Sequence, residues 1–315
     1  MDALHNLSDS NSNTEKCCFD FLRLAPMAFL LSTLLIVASL LLVTLRGFHW
    51  GIDFTGGLAL EVQLSRVVAP EALQVACQQA GFSQVQIQPL DNNQNLLIRI
   101  APSSSIAHET LGKQIITLLQ QQFDPQATLQ RLEWLGAQAG GELTRSGLFA
   151  LTAAMGATLL YVAVRFEWRL ATSAVLALTH DLIITLGLLS LLSITLDLTL
   201  IAALLSVIGY SLNDTIVVFD RIRENCRQNP QRPIGQIINL SLTHTLGRTL
   251  ITSTTTFIVV LALFYFGGIL LQSFSLVLLV GIAVGTFSSI YIASALALKL
   301  GLRSQHLLLP TLDTE

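Results

Sequence analysis

Between Thr249 and Leu298 the chain carries no Asp, Glu, Lys, Arg or His. A run of that length offers no solvated face, so it belongs in a bilayer rather than at the surface of a soluble domain. A membrane-spanning helix needs about 20 residues at about 1.5 Å each, and Gly267-Gly268 divides the run into two such helices. Four more stretches qualify. Leu24–Leu45 and Ser146–Val164 are uncharged, Leu170–Leu196 is interrupted only by His180 and Asp181, and Leu198–Phe219 contains Asp214. Of the 315 residues 52% are hydrophobic and 12% charged, about half the charged share of a soluble domain. The class is an integral membrane protein with six spans.

Charge placement orients it. Arg165 and Arg169 lie between spans two and three, Arg221, Arg223, Arg227 and Arg232 between spans four and five, and Lys299 and Arg303 after span six. The opposite short loops, near 193–197 and 267–272, have no Lys or Arg. The positive-inside rule then puts both termini in the cytoplasm. The first span is too long for a cleaved signal peptide, and no small-residue cleavage site follows it. The expected plan is a cytoplasmic tail over 1–22, a helix over 23–46, an external domain over 47–142, a five-helix membrane domain over 143–300 and a tail over 301–315. Cys17, Cys18 and Cys226 fall on one side and Cys77 on the other, which argues against a disulfide framework.

The external segment changes period. In LALEVQLS, Leu58, Leu60, Val62 and Leu64 alternate with Ala59, Glu61, Gln63 and Ser65, the pattern of a half-buried strand. Pro70 opens a helix whose stripe is Leu73, Ala76, Cys77 and Ala80, and Gly81 ends it. Val85 and Ile87 mark a second strand. After the turn at Asp91-Asn92-Asn93, Leu96, Ile98 and Ile100 mark a third. A second helix carries Leu111, Ile115, Leu118 and Leu119, and Thr128–Trp134 reads as a last strand. The order β-α-β-β-α-β is the ferredoxin-like, split β-α-β arrangement. The fold class is therefore an α-helical membrane protein of six transmembrane helices, with a small α+β ferredoxin-like domain between helices one and two. Nucleophile-base pairs, metal clusters and phosphate-binding loops are missing from this segment, which reads as a binding module. Just before its first strand stands GIDFTGG. Gly51, Gly56 and Gly57 imply a tight backbone, with Asp53 and Phe54 between them. The motif lacks Walker and GxGxxG spacing; it is either a turn capped by Asp53 or a contact surface.

Asp214 sits deep in span four, where an ionised group costs about 2.5–3.5 kcal/mol on insertion scales. Its candidate partner is Arg248, at the head of a hydroxyl-rich span that includes Thr252, Ser253 and Thr255. An arginine beside an aspartate holds it ionised, whereas a dry site without that partner favours the protonated form. Motion of span five against span four would then load and unload a proton. His180-Asp181 in span three is either a helix-packing pair or a relay, and Thr252 and Thr255 are further relay candidates. Gly281 and Gly285 form a GxxxG packing face. An intramembrane aspartyl protease using Asp181 and Asp214 would need the two to share a proton, and an arginine beside one of them opposes that. A self-sufficient lipid or drug exporter is a second alternative.

Five stretches together, GIDFTGG at Gly51, HDLIITLG at His180, IGYSLNDTIVVFDRIREN at Ile208, GRTLITSTTT at Gly247 and the glycine-containing sixth span, carry a resemblance over about Phe21–Leu300. The chain resembles the SecD/SecF family of protein-export membrane subunits, in the smaller SecF form, within the resistance-nodulation-division superfamily. It departs at Leu135-Gly136-Ala137, where the family commonly has Val-Gly-Pro. The resemblance implies a proton-responsive pair at Asp214 and Arg248, and late-stage translocation of preproteins driven by the proton motive force, without enzymatic catalysis. The implied partners are SecD, the SecY-SecE-SecG channel, YajC, YidC, the translocating preprotein and the lipid bilayer. Nucleic acid, cofactor and metal are not implied. The implied location is the bacterial inner membrane, with domain 47–142 periplasmic.

Overall fold

A computed structural model describes residues 19–82, 85–89, 94–100 and 108–308. Cys17-Cys18 and the Asp91–Asn93 turn lie outside the described residues. The chain forms two compact units, one of residues 48–152 and 193–201, the other, among the described residues, of 19–47, 153–192 and 202–308.

The first unit holds β1 (His49–Trp50), the helical turn α2 (Ile52–Thr55), β2 (Gly57–Gln63), α3 (Pro70–Gln79), β3 (Val85–Pro89), β4 (Asn95–Ile100), α4 (His108–Gln122) and β5 (Thr128–Leu135). Strands β2 to β5 make one antiparallel sheet in the order β3-β4-β2-β5. The first of the four lies between the third and the last, as a split β-α-β arrangement requires. Leu58, Leu60 and Val62 are each at most 2% exposed and pack with Leu96, Ile98, Leu73, Cys77, Ile115 and Leu119. Each such side chain contributes about 1.5–3 kcal/mol on burial. A one-residue slip of β2 would expose all three, so this row holds the register. The alternation is not complete, because Ala59 on the other face is also buried. The α3 stripe stops at Cys77; Ala80 is exposed, and Gly81 ends the helix with φ +91°.

The second unit is helical. Its elements come from α1 (Phe21–Arg46), α5 (Ala137–Arg165), α6 (Trp168–Leu191), α7 (Leu198–Gln228), α8 (Ile234–Phe266), α9 (Ile269–Phe287), a π turn (Ser288–Ala293), α10 (Ser294–Lys299) and α11 (Ser304–Leu308). Among the described residues six helical segments are long and apolar enough to cross a membrane. The segment that begins at Ile234 runs without interruption into the hydrophobic span that starts near Thr249, and the two form one continuous helix, α8. Nothing breaks it, because Gly235 and Gly247 meet no following proline, and Ile237, Ile238 and Leu242 are buried in the helical core with Phe219 and Ile222. Small residues bring the helices close. A Cβ on Gly187 of α6 would lie 2.2 Å from Ser39 of α1, and one on Gly281 of α9 would lie 2.2 Å from a Val207 methyl of α7. Ser190 donates to the carbonyls of Leu42 (3.1 Å) and Gly47 (2.9 Å), and Arg46 to that of Leu191 (3.1 Å).

Asp124 ties α4 to the strand ends. Its carboxylate accepts from the Ser65 hydroxyl (2.7 Å), the Ser65 amide (2.6 Å) and the Gln126 amide (3.0 Å). These bonds, the Ser65 hydroxyl foremost, hold the carboxyl below the usual carboxylate range. A depressed folded-state value stabilises the fold above the ordinary carboxylate range, and that contribution is lost as pH falls through the lower folded value. Asp124→Ala should therefore speed amide hydrogen exchange around Ser65 at neutral pH, and the difference from the unmodified chain should vanish in strong acid.

Candidate functional site

Asp214 lies on α7, 2% exposed. Its Oδ2 accepts from the Ser253 hydroxyl of α8 at 3.3 Å, and Ser253 shares a 2.8 Å hydrogen bond with Thr286 of α9. One carboxylate thus joins three helices. Ser253 and Thr249 are buried four residues apart, on the face that α8 packs inward. Each residue turns a helix by about 100°, so Arg248, one position from Thr249, is carried off that face and is exposed. No ion pair links Arg248 to Asp214 among the described residues, although Arg248 is near enough for its charge to act on the carboxylate. The direct pair expected from sequence is an electrostatic neighbour in this conformation. Thr252 and Thr255 donate to carbonyls one turn back, those of Arg248 and Ile251, as helical threonines commonly do. The hydroxyl at the carboxylate belongs to Ser253.

His180 and Asp181 of α6 form a second buried cluster, 5% and 0% exposed, with Nδ1 2.8 Å from Oδ1. Asp181 Oδ2 accepts from the Ser211 hydroxyl of α7 at 2.5 Å. Ser211 is three residues before Asp214, a spacing that puts both on one helical face. That spacing is the sequence signal by which Ser211 could have been found. A Cβ on Gly285 would lie 3.0 Å from the Ser211 Cβ, so the GxxxG face lets α9 close on this point. The two aspartates are held by different serines, and among the described residues no hydrogen bond joins them.

In the sheet unit, the glycine-rich motif builds a junction. β1 pairs in parallel with β6 (Thr195–Leu196), and the Gly51 amide donates to Leu196 O at 2.7 Å. A Cβ on Gly51 would sit 2.8 Å from that oxygen. Gly56 and Gly57 have φ of +70° and +130°, conformations that favour glycine. Asp53 Oδ2 accepts from the Leu198 amide at 3.0 Å, and Asp197 Oδ1 from the Leu200 amide at 2.8 Å. Two carboxylates therefore cap the start of α7, the helix that carries Asp214. Asp53 is a capping residue, but for a helix far along the chain. Phe54 and Gly56 contribute backbone atoms that approach α5, where a Cβ on Gly140 would fall 2.8 Å from both Phe54 O and Gly56 N.

Six membrane-length helices, an ionisable cluster buried among them and a small sheet unit define a polytopic membrane protein of transporter type. Residues 114–303 match the C-terminal region of the protein export membrane protein SecD/SecF family, and residues 42–66 match the SecD/SecF GG motif. The protein translocase subunit SecF of Escherichia coli O157:H7 is 46% identical over 298 residues, covering 94% of this chain and 92% of that protein. The SecF subunit of Vibrio alginolyticus is 46% identical over 295 residues, with 94% of each chain covered. The crystal structure of SecDF, a translocon-associated membrane protein from Thermus thermophilus, aligns with a TM-score of 0.82 at 36% identity. That alignment covers 90% of this chain and 38% of the longer SecDF chain. The chain belongs to the SecD/SecF family, as its motifs led one to expect, and the relatives it matches over nearly their whole length are SecF translocase subunits.

The junction makes a sharp distinction between neighbours. Gly140→Ala must force backbone atoms apart at Phe54 and Gly56, and should lower the yield of protease-resistant protein. Gly141→Ala, whose added Cβ meets nothing within 4 Å, should leave the yield equal or raise it, since alanine favours a helix by about 1 kcal/mol.

Proposed function

We propose that this chain, with a SecD-type partner, uses the proton motive force to promote late-stage translocation of preproteins across the bacterial inner membrane. The observation that carries the reading is Asp214, a carboxylate buried on a membrane-length helix and held by one hydroxyl rather than by a basic group. Such intramembrane carboxylates are costly, about 2.5–3.5 kcal/mol on insertion scales, and mark ion paths. In this reading Asp214 and Arg248 are the coupling residues. Proton loading neutralises Asp214 and releases α8, while approach of Arg248 restores the ionised form. Moving one charge across the potential supplies about 2.3 kcal/mol per 100 mV, so a few protons suffice to drive a rearrangement. His180 and Asp181 serve as a relay, with Ser211 and Ser253 better placed for that part than Thr252 and Thr255.

The topology proposed with it follows the arginine-rich loops. Both termini are cytoplasmic, residues 143–300 form the five-helix membrane domain and residues 47–142 form the periplasmic domain, which engages the emerging preprotein. The SecY-SecE-SecG channel delivers that preprotein, and YajC and YidC are further members of the assembly. The chain acts mechanically rather than as an enzyme. The relatives' description as translocase subunits supports this reading, as does the translocon association in the SecDF structure's description.

Export into membrane vesicles under an imposed proton gradient is the test. Asp214→Asn should assemble with its partner yet lose the gradient-dependent part of export, both with sodium and with potassium as the only alkali cation. Normal gradient-dependent export by this variant would remove Asp214 from the mechanism, and a loss confined to sodium would make sodium the coupling ion. Arg248→Lys should lie between the unmodified chain and Arg248→Met, because an ammonium keeps the charge but not the planar fork.

A further inference from the structure

Three buried side-chain atoms of the helical unit lack a hydrogen-bond partner and stand on elements that pack against one another. They are Ser32 Oγ of α1, His180 Nε2 of α6 and Ser288 Oγ of the π turn. Their residues are 3%, 5% and 0% exposed. Among the described residues of this unit the other such atoms, on Tyr210 and Arg221, belong to α7.

Helix register brings the three to one level. Ser39 lies against Gly187, and Ser190 reaches the Leu42 carbonyl three residues further on, so α1 and α6 run side by side in the same direction. Ser32 and His180 each precede the Ser39–Gly187 contact by two helical turns, which places them opposite each other. On the other side, Asp181 meets Ser211, and Ser211 lies against Gly285. Ser288 follows Gly285 by less than one turn. The π turn also widens the helix at this point, a feature frequent at functional sites.

Buried polar atoms in folded proteins are almost always paired, with ordered water where protein groups do not serve. A buried water typically makes about three hydrogen bonds. We propose that Ser32, His180 and Ser288 bind an ordered water molecule, and that this water, His180, Asp181 and Ser211 form a proton-carrying branch that leads to Asp214. The proposal rests on the proton-coupling reading of Asp214. With Nδ1–H donating to Asp181, Nε2 is an acceptor for the water, and the two serine hydroxyls donate to its oxygen. A proton arriving on the water passes to Nε2, and the Nδ1 proton passes to Asp181, so one positive charge advances toward α7 with no co-reactant. Asp181 is the charged group facing His180. Of the other elements packed on α6, α1 and α10 carry Arg23, Arg46 and Lys299 only toward helix ends, α9 and the π turn carry no Asp, Glu, Lys or Arg, and α7 carries Asp214 one turn beyond Ser211, with Asp220, Arg221, Arg223, Glu224 and Arg227 further toward its C-terminus.

The full chain assembled with its SecD-type partner in lipid vesicles provides the test, with two readouts. Infrared difference spectra on a pH step should show an O–H band that shifts in oxygen-18 water. The band should persist in Ser32→Thr, which keeps the hydroxyl, and disappear in Ser32→Val and Ser288→Val. Gradient-driven export should fall by about tenfold in the valine variants, the factor carried by one lost buried hydrogen bond, and recover in Ser32→Thr. If a valine variant does not assemble, Ser32→Ala and Ser288→Ala shed only the hydroxyl and carry the same readouts. A band unchanged in these variants, or export with an unmodified rate and pH profile, overturns the water site. Asp214→Asn measured in parallel separates the two ideas. Normal export there sinks the coupling reading, whereas lost export there beside normal Ser32 and Ser288 variants sinks the branch alone.

Discussion

The hydrogen bond between Ser253 and the Asp214 carboxylate is where the helical unit meets its hardest physical demand. A buried acid needs a partner, and here it comes from a neighbouring helix, because the α7 hydroxyls on either side are engaged elsewhere, Ser211 with Asp181 and Thr215 with the Ser211 carbonyl. The helices must therefore approach closely, which the glycines permit. Gly281 and Gly285 clear the way for α9 against Val207 and Ser211, and Thr286 then reaches Ser253. The packing of small residues and the burial of charge are two parts of one arrangement. A larger residue on the GxxxG face would separate the helices and leave the acid alone.

The helix carrying that acid is also fastened at its start. Two aspartates from separate stretches, Asp53 and Asp197, accept its first amides. The paired β1 and β6 hold those stretches together. Arg99 of β4 lies within the field of both aspartates, so the sheet has an electrostatic stake in the same point. The glycine-rich motif makes sense in this setting as a backbone fitting. Its glycines stand where a side chain would strike Leu196 O or force an unfavourable φ, and its polar residue works at a distance in sequence.

Much of the fold was legible because its signals are periodic or compositional. The long apolar runs locate six helices, and the alternation through Leu58, Leu60 and Val62 locates the buried face of the sheet. Helix limits were less legible. The apolar criterion stops where hydrocarbon stops, whereas α8 continues through Asn239 and His244 because its backbone has no reason to break. The site was legible as a list of unusual residues, Asp214, Arg248, His180 and Asp181, but not as a set of contacts. Sequence distance cannot say which hydroxyl faces a carboxylate across a helix seam, and the run Thr252, Ser253, Thr254, Thr255 offers several. Only the rotational position of α8 selects Ser253 and turns Arg248 outward. The remote cap by Asp53 was out of reach for the same reason, since its partner amide lies on another helix.

The π turn at Ser288–Ala293 has a consequence for comparing this chain with others. The backbone over these six residues is π-helical, so this part of the sixth span accommodates one residue more than an α-helix of the same height. Below the turn every side chain is rotated by about 100° relative to the uninterrupted helix. A homologue without the wide turn would match this one in three dimensions only with a one-residue gap at that place, even where the two sequences align without one. Residue-by-residue transfer of roles beyond Ser288 therefore needs the backbone hydrogen bonds of each protein, and a one-residue deletion in the span is a change of facing rather than of length.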